Sequence, residues 1–170
     1  MEGTRWTQWP VLLRAGGTPR WVPPVVGRAI AGAHAAGGPA CAVPAGIRID
    51  QAERRVELPE PTDGAGARSL AADLAATCAD LLSLALQHPD VARHVFQQTA
   101  LLWRAYREAR ELPVRGEFEA ELVQAVAAQL YARHPEPWLM RLVRDAERGR
   151  IDTLHVWIDA LYEAGVRGRG

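Results

Sequence analysis

Residues 69–87 read S-L-A-A-D-L-A-A-T-C-A-D-L-L-S-L-A-L-Q. Leu70, Leu74, Cys78, Leu81 and Leu82 recur at helical spacing, which predicts one amphipathic helix with an apolar stripe. Asp73 and Asp80 interrupt the stretch, so it is too short and too charged to be expected to span a bilayer. The same period runs through the chain beyond it. Val91, Val95, Phe96, Leu102, Trp103 and Tyr106 form a broad apolar face, opened by His88-Pro89-Asp90 as stop and restart. Arg104/Glu108 and Arg107/Glu111 are expected to pair at i,i+4 on its wet side. Pro113 ends that helix at about residue 111. Phe118, Leu122, Val126 and Leu130 define the next helix, and Pro135 and Pro137 break the chain again. Trp138, Leu139, Leu142 and Val143 spell a short helix ending near Gly149. Ile151, Leu154, Ile158 and Leu161 spell a last one, closed by Gly165.

Upstream the pattern changes. Val25 to Ala36 reads as a short helix between Pro23-Pro24 and Gly37-Gly38. Ile47-Arg48-Ile49 and Val56-Glu57-Leu58 alternate about the turn-like Asp50-Gln51-Ala52-Glu53, which predicts a small β-hairpin over 47–58. Residues 1–24 mix Trp6, Trp9 and Trp21 with Pro10, Pro19, Pro23 and Pro24. They are expected to form an arm rather than a continuous helix, with Val11-Leu12-Leu13 as a short edge strand. The indoles either pack on the domain or present a docking segment, since tryptophan is enriched at interface hot spots. The fold class that follows is mainly α: five to six packed helices with a small N-terminal β-hairpin. The organisation is a Trp/Pro-rich arm (1–24), one helical domain (25–165) and a frayed Arg-Gly tail (166–170).

Composition removes whole mechanisms. The chain has no lysine and no asparagine; its 20 basic residues are all arginine, balanced by 20 acids. Without lysine there is no phosphate-loop lysine and no pyridoxal Schiff base. A formal charge of zero supplies no global field for nucleic acid or an anionic membrane. Lysine and asparagine use A-rich codons, so their absence points to a GC-rich bacterial genome. Two cysteines, Cys41 and Cys78, make no disulfide framework, and no signal-peptide pattern opens the chain, so a cytoplasmic location is expected.

The run Arg28-Ala-Ile-Ala-Gly-Ala-His-Ala-Ala-Gly37 resembles the helix A-L-A-x-A-H-x-x-G that precedes the catalytic loop of kinase-fold proteins. Ser69-Leu-Ala-Ala-Asp73-Leu-Ala-Ala resembles the D-L-A helix of aminoglycoside phosphotransferase-like and protein-kinase-like enzymes. Leu101-Leu-Trp-Arg-Ala-Tyr106-Arg-Glu-Ala resembles their later F-L-x-A-Y-R-x-A helix. The resemblance covers roughly residues 25–130 and implies a truncated, kinase-like C-terminal lobe. The departures are as telling. With Ile47-Arg48-Ile49-Asp50 aligned on the family's strand, Pro39-Ala40-Cys41 stand where H-G-D belongs. Gly46 stands at the catalytic-loop asparagine, and the metal-binding aspartate would fall near Pro59-Glu60-Pro61. Only Asp73, structural in the family, is kept. The residues ahead of the helix are too few for a nucleotide-binding lobe. Phosphoryl transfer is positioning plus charge stabilisation, so the resemblance implies no catalytic residue, no cofactor and no metal here.

Other constellations add little. No histidine pair has zinc spacing and no Cys-x-x-Cys exists. His88 and His94 are expected to be solvated or to cap a helix. His34 is expected near a helix C-terminus, where partial charge is favourable. Cys78 reads as a small core residue. Cys41, beside a Pro/Gly loop, is a candidate reactive thiol only if a base lies nearby. Asp73, Thr77 and Asp80 share a helix face, expected to be solvated or to cap a loop. The function expected is therefore a non-catalytic, kinase-like remnant in an interaction or regulatory role. Its partner would be another protein or a second copy, met through Trp6, Trp9, Trp21 and the face a missing lobe leaves open. The alternatives are a phosphotransferase whose N-lobe comes from another chain or was lost to a wrong start site, and a free-standing helical adaptor.

Overall fold

The opening residues fold differently from a loose arm, and proline chemistry explains how. In the computed structural model, which describes residues 6–38, 44–60 and 69–169, β1 (Trp6–Gln8) leads directly into α1 (Trp9–Arg14). Pro10 occupies the first turn of α1, where the missing N–H is no loss because that group has no intrahelical acceptor. Val11-Leu12-Leu13 is thus helical and not an edge strand. The same rule moves the start of α2 (Val22–Ala35) ahead of Pro23-Pro24. Gly37, at φ 84°, lets the chain turn out of α2, with its N–H on the His34 carbonyl.

The expected hairpin is present as β2 (Arg48–Asp50) and β3 (Arg55–Glu57), with Ile49 opposite Val56. Asp50 makes the turn: its Oδ1 accepts from the N–H groups of Ala52 and Glu53 at 3.0 and 3.1 Å. β1 adds a third antiparallel strand to β2, with Trp6 opposite Asp50 and Gln8 opposite Arg48. Residues 6–24 are therefore part of the domain, not an appendage to it. Trp9 and Leu13 are fully buried in the common core.

Five helices follow: α3 (Leu70–Gln87), α4 (Ala92–Ala109), α5 (Glu117–Arg133), α6 (Pro137–Glu147) and α7 (Leu154–Gly165). Ser69 caps α3, its Oγ accepting from Ala72 N at 3.1 Å. Pro137 sits in the first turn of α6. Seven α-helices stand among the described residues, the six-residue α1 included, and the chain is mainly helical with a small sheet as expected. α3 lies against α4 and α5, α2 crosses α4, and α6 and α7 close the far side. α3 is long and apolar enough to cross a membrane by length and composition, but 61% of it is buried inside the fold, the signature of a central core helix.

The α2–α4 crossing is unusually close because residue 27 is glycine. A Cβ built there would lie 2.4 Å from the carbonyl oxygen of Leu102 and 3.1 Å from the Tyr106 nitrogen. Of the two expected surface pairs on α4, Arg104–Glu108 forms at 2.9 Å between exposed side chains. Arg107–Glu111 does not: α4 ends at Ala109, and Glu111 has already turned to φ 53°.

Candidate functional site

Three polar side chains meet where α2, α3 and α4 converge. Val26, Ile30 and His34 succeed one another every four residues along α2, so His34 faces the core its neighbours fill. Its Nε2 lies 2.7 Å from Asp73 Oδ2 on α3, and its Nδ1 lies 2.7 Å from the Tyr106 hydroxyl on α4. His34 and Asp73 are each 3% exposed and Tyr106 is 0% exposed. An ionised carboxylate only accepts, so against it Nε2 donates, and the Tyr106 hydroxyl, which can both donate and accept, closes the bond at Nδ1. Burial pushes the Tyr106 hydroxyl up to about 12; the Arg110 guanidinium opposes the rise and Asp73 adds to it. Tyr106 thus stays protonated through the physiological range, and its hydroxyl orients the imidazole.

Asp–His–hydroxyl order is also the order of a nucleophilic relay. Here the terminal oxygen is sealed: it has no face open to a substrate, and the imidazole edge is packed against Tyr106 at 5.5 Å between ring centres. Tyr106 in turn stacks on Trp103 and Phe118. The cluster's chemistry in this arrangement is to fix three helices to one another.

His34 does stand in the last turn of α2, as expected, but it is buried and bonded through both ring nitrogens. Asp73 is not solvated either; only Asp80 of that face approaches solvent, paired with Arg133 at 2.8 Å. Burial raises the Asp80 carboxyl and Arg133 counters it. Cys78 is buried as expected, and burial pushes its thiol up to about 12, which keeps it an unreactive thiol. Cys41, with Pro39 and Ala40, lies outside the described residues, as do the glycines at 64 and 66. Glu60 is exposed next to Pro59. Among the described residues no group of three His, Cys, Asp or Glu is placed to hold a metal ion.

The three tryptophans proposed for partner contact part ways. Trp9 is 0% exposed, so it is withdrawn from any surface: its helix begins where the strand ends, and its N–H bonds to the Ile47 carbonyl at 3.0 Å. Trp6 is half-buried under the Arg48 guanidinium, 5.6 Å from its ring centre. Trp21 is half-buried against the core.

A second feature lies on the other side of α4. A cleft of about 880 Å³ runs along the face bearing His94, Gln97, Leu101 and Arg104, opposite Val95, Leu102 and Tyr106. Thr18 and Arg20 from the segment before α2, and Val114 and His155 from beyond α4, complete its lining. At its floor Glu119, 3% exposed, accepts from Trp103 Nε1 at 3.2 Å, Arg115 N at 3.1 Å and Leu154 N at 3.0 Å, tying α4, α5 and the start of α7 together. Nothing in the sequence pattern marked the cleft, because it is assembled from a loop and from the wet side of a helix. His94 belongs to it: the ring is partly buried, which lowers its proton affinity, and its Nε2 has no hydrogen-bond partner in the protein. It is not the solvated or capping residue expected.

Compared with protein-family models, with curated proteins and with solved structures, the chain matches none of them.

Proposed function

We propose that the protein is a non-catalytic, kinase-like C-lobe remnant that works as an interaction or regulatory protein. One observation carries the reading. The histidine of the A-G-A-H-A-A-G helix and the aspartate of the D-L-A helix are 39 residues apart in the chain and bonded at 2.7 Å in the interior. The third segment of the resemblance supplies Tyr106, bonded to the same imidazole at 2.7 Å. All three segments that suggest the family therefore meet at a single point, and each contributes the polar residue that makes the junction. The residues that remain are those that hold a lobe together. The positions that would move phosphate are proline, alanine, cysteine and glycine, and without a base, a metal ligand or a phosphate-binding lysine little transition-state stabilisation is left.

The partner-facing surface in this reading includes the exposed portions of Trp6 and Trp21, while Trp9 belongs to the core. The test is direct. The purified chain, incubated with radiolabelled ATP and Mg²⁺, is expected to leave all label on the nucleotide, and Mg²⁺–ATP is expected to leave its melting temperature unchanged. Label on any acceptor, or a rise of several degrees, overturns the non-catalytic reading. Light scattering at increasing concentration separates self-association from a role that needs a different protein.

A further inference from the structure

We propose that the cleft along α4 binds a small organic anion with a flat apolar body. This inference does not depend on the kinase-like reading, since none of His34, Asp73 and Tyr106 lines the cleft. Three polar atoms on its lining have no hydrogen-bond partner in the protein: Gln98 Oε1, Thr18 Oγ1 and His94 Nε2. Gln98 is 2% exposed and Thr18 is 6% exposed, so neither is a surface group resting in bulk water. Buried polar groups are nearly always paired, because an unpaired one costs folding free energy. Two such side chains, brought to one cavity from a loop and a helix, are explained by a ligand that completes them.

The other lining residues define that ligand. Trp103, Leu101 and Ala100 supply apolar surface, and Val114 at the rim is 62% exposed, a large aliphatic group left uncovered. The charge is one-sided: Arg20, Arg104 and Arg107 line the cleft against the single acid Glu119, whose oxygens already take three N–H donors. Arg104 is engaged by Glu108, while Arg20 and Arg107 have no ion pair among the described residues. A volume of about 880 Å³ is in the range of sites for drug-sized molecules. An apolar wall, a buried amide oxygen and hydroxyl, and two uncommitted guanidinium groups together fit a flat body carrying a carboxylate or a similar anionic group for the arginines and an N–H or O–H donor for the Gln98 oxygen.

Isothermal titration of the full chain with 6-hydroxy-2-naphthoate, whose O–H can donate to Gln98 Oε1, tests this, against 6-hydroxy-2-naphthamide as the uncharged body and inorganic phosphate as charge without a body. Saturable binding of naphthoate is expected with a dissociation constant below about 1 mM, and at least about ten-fold weaker binding of both comparators. Arg107→Gln should weaken naphthoate about ten-fold, the loss of one charge-assisted contact. Gln98→Leu should weaken it as well, yet raise the melting temperature of the unliganded protein, because it removes an unpaired buried amide at similar volume. Equal binding of naphthamide, naphthoate binding indifferent to both substitutions, no saturable binding, or a Gln98→Leu protein that melts lower than the parent would each overturn the proposal.

Discussion

Gly27→Ala and Gly32→Ala are the same chemical change in the same helix, and the structure assigns them opposite signs. Both replace the residue that is poorest in a helix, after proline, by the best, a gain of about 1 kcal/mol. At Gly32 nothing lies within 4 Å of the added methyl, so the gain stands. At Gly27 the methyl would sit 2.4 Å from the Leu102 carbonyl oxygen, which belongs to backbone and cannot rotate away. α2 and α4 must separate by roughly 1 Å to restore a normal contact, an overpacking cost of about 1–3 kcal/mol. That displacement also strains the 2.7 Å bond from Tyr106 to His34, two turns along the same crossing. Losing it leaves a buried ring nitrogen unpaired at a further cost of about 1–3 kcal/mol. The net expectation is a loss of about 1–5 kcal/mol for Gly27→Ala, or about 2–20 °C in melting temperature for a chain of this size, and a rise of about 2–4 °C for Gly32→Ala. Thermal unfolding followed by far-ultraviolet circular dichroism measures both. A Gly27→Ala protein as stable as the parent would refute the close crossing, and with it the idea that glycine brings His34 within reach of Tyr106.

Two further outcomes follow from the same interior. His34→Ala removes the hydrogen bonds to Asp73 and Tyr106 and opens a cavity, and should cost about 3–5 kcal/mol in urea unfolding; Tyr106→Phe should cost about 1–3 kcal/mol, and much less once His34 is gone, because the two share one bond. In alkali the Cys78 thiol and the Tyr106 hydroxyl both have folded-state affinities raised to about 12, above their unfolded values of 9.0 and 10.0. The stability they contribute is fully present below pH 9 and is lost as pH climbs toward 12, so melting temperature should fall over that window, and Cys78→Ala should remove the earlier part of the fall.

The helices downstream of residue 69 were legible because an apolar stripe at a period near 3.6 has one physical solution, and prolines at 89, 113, 135 and 137 marked their ends. The strand expected at Val11-Leu12-Leu13 and the late start expected for α2 both came from treating proline as a breaker, when in the first turn of α1 and α2 it starts a helix. The His34–Asp73–Tyr106 junction was half-legible. Each of the three occupies a stripe position among apolar neighbours, and a polar residue there demands a partner; which partner is a question of helix crossing, set by Gly27 and invisible to periodicity. The cleft was not legible, since Thr18, Gln98 and Arg107 share no pattern until α4 is placed beside the loop at 18–20.

The pairing of β1 with β2 has a consequence for how the chain is made. Trp6–Gln8 leave the ribosome some 40 residues ahead of Arg48–Asp50, the strand they join. At ordinary synthesis rates of about 5–20 residues per second, that is a wait of about 2–8 seconds. For that interval two indoles and a strand with no neighbour travel exposed. A nascent chain of this kind is a natural client for holding factors, and the moment at which residue 50 clears the exit tunnel sets the earliest time at which its beginning can come to rest.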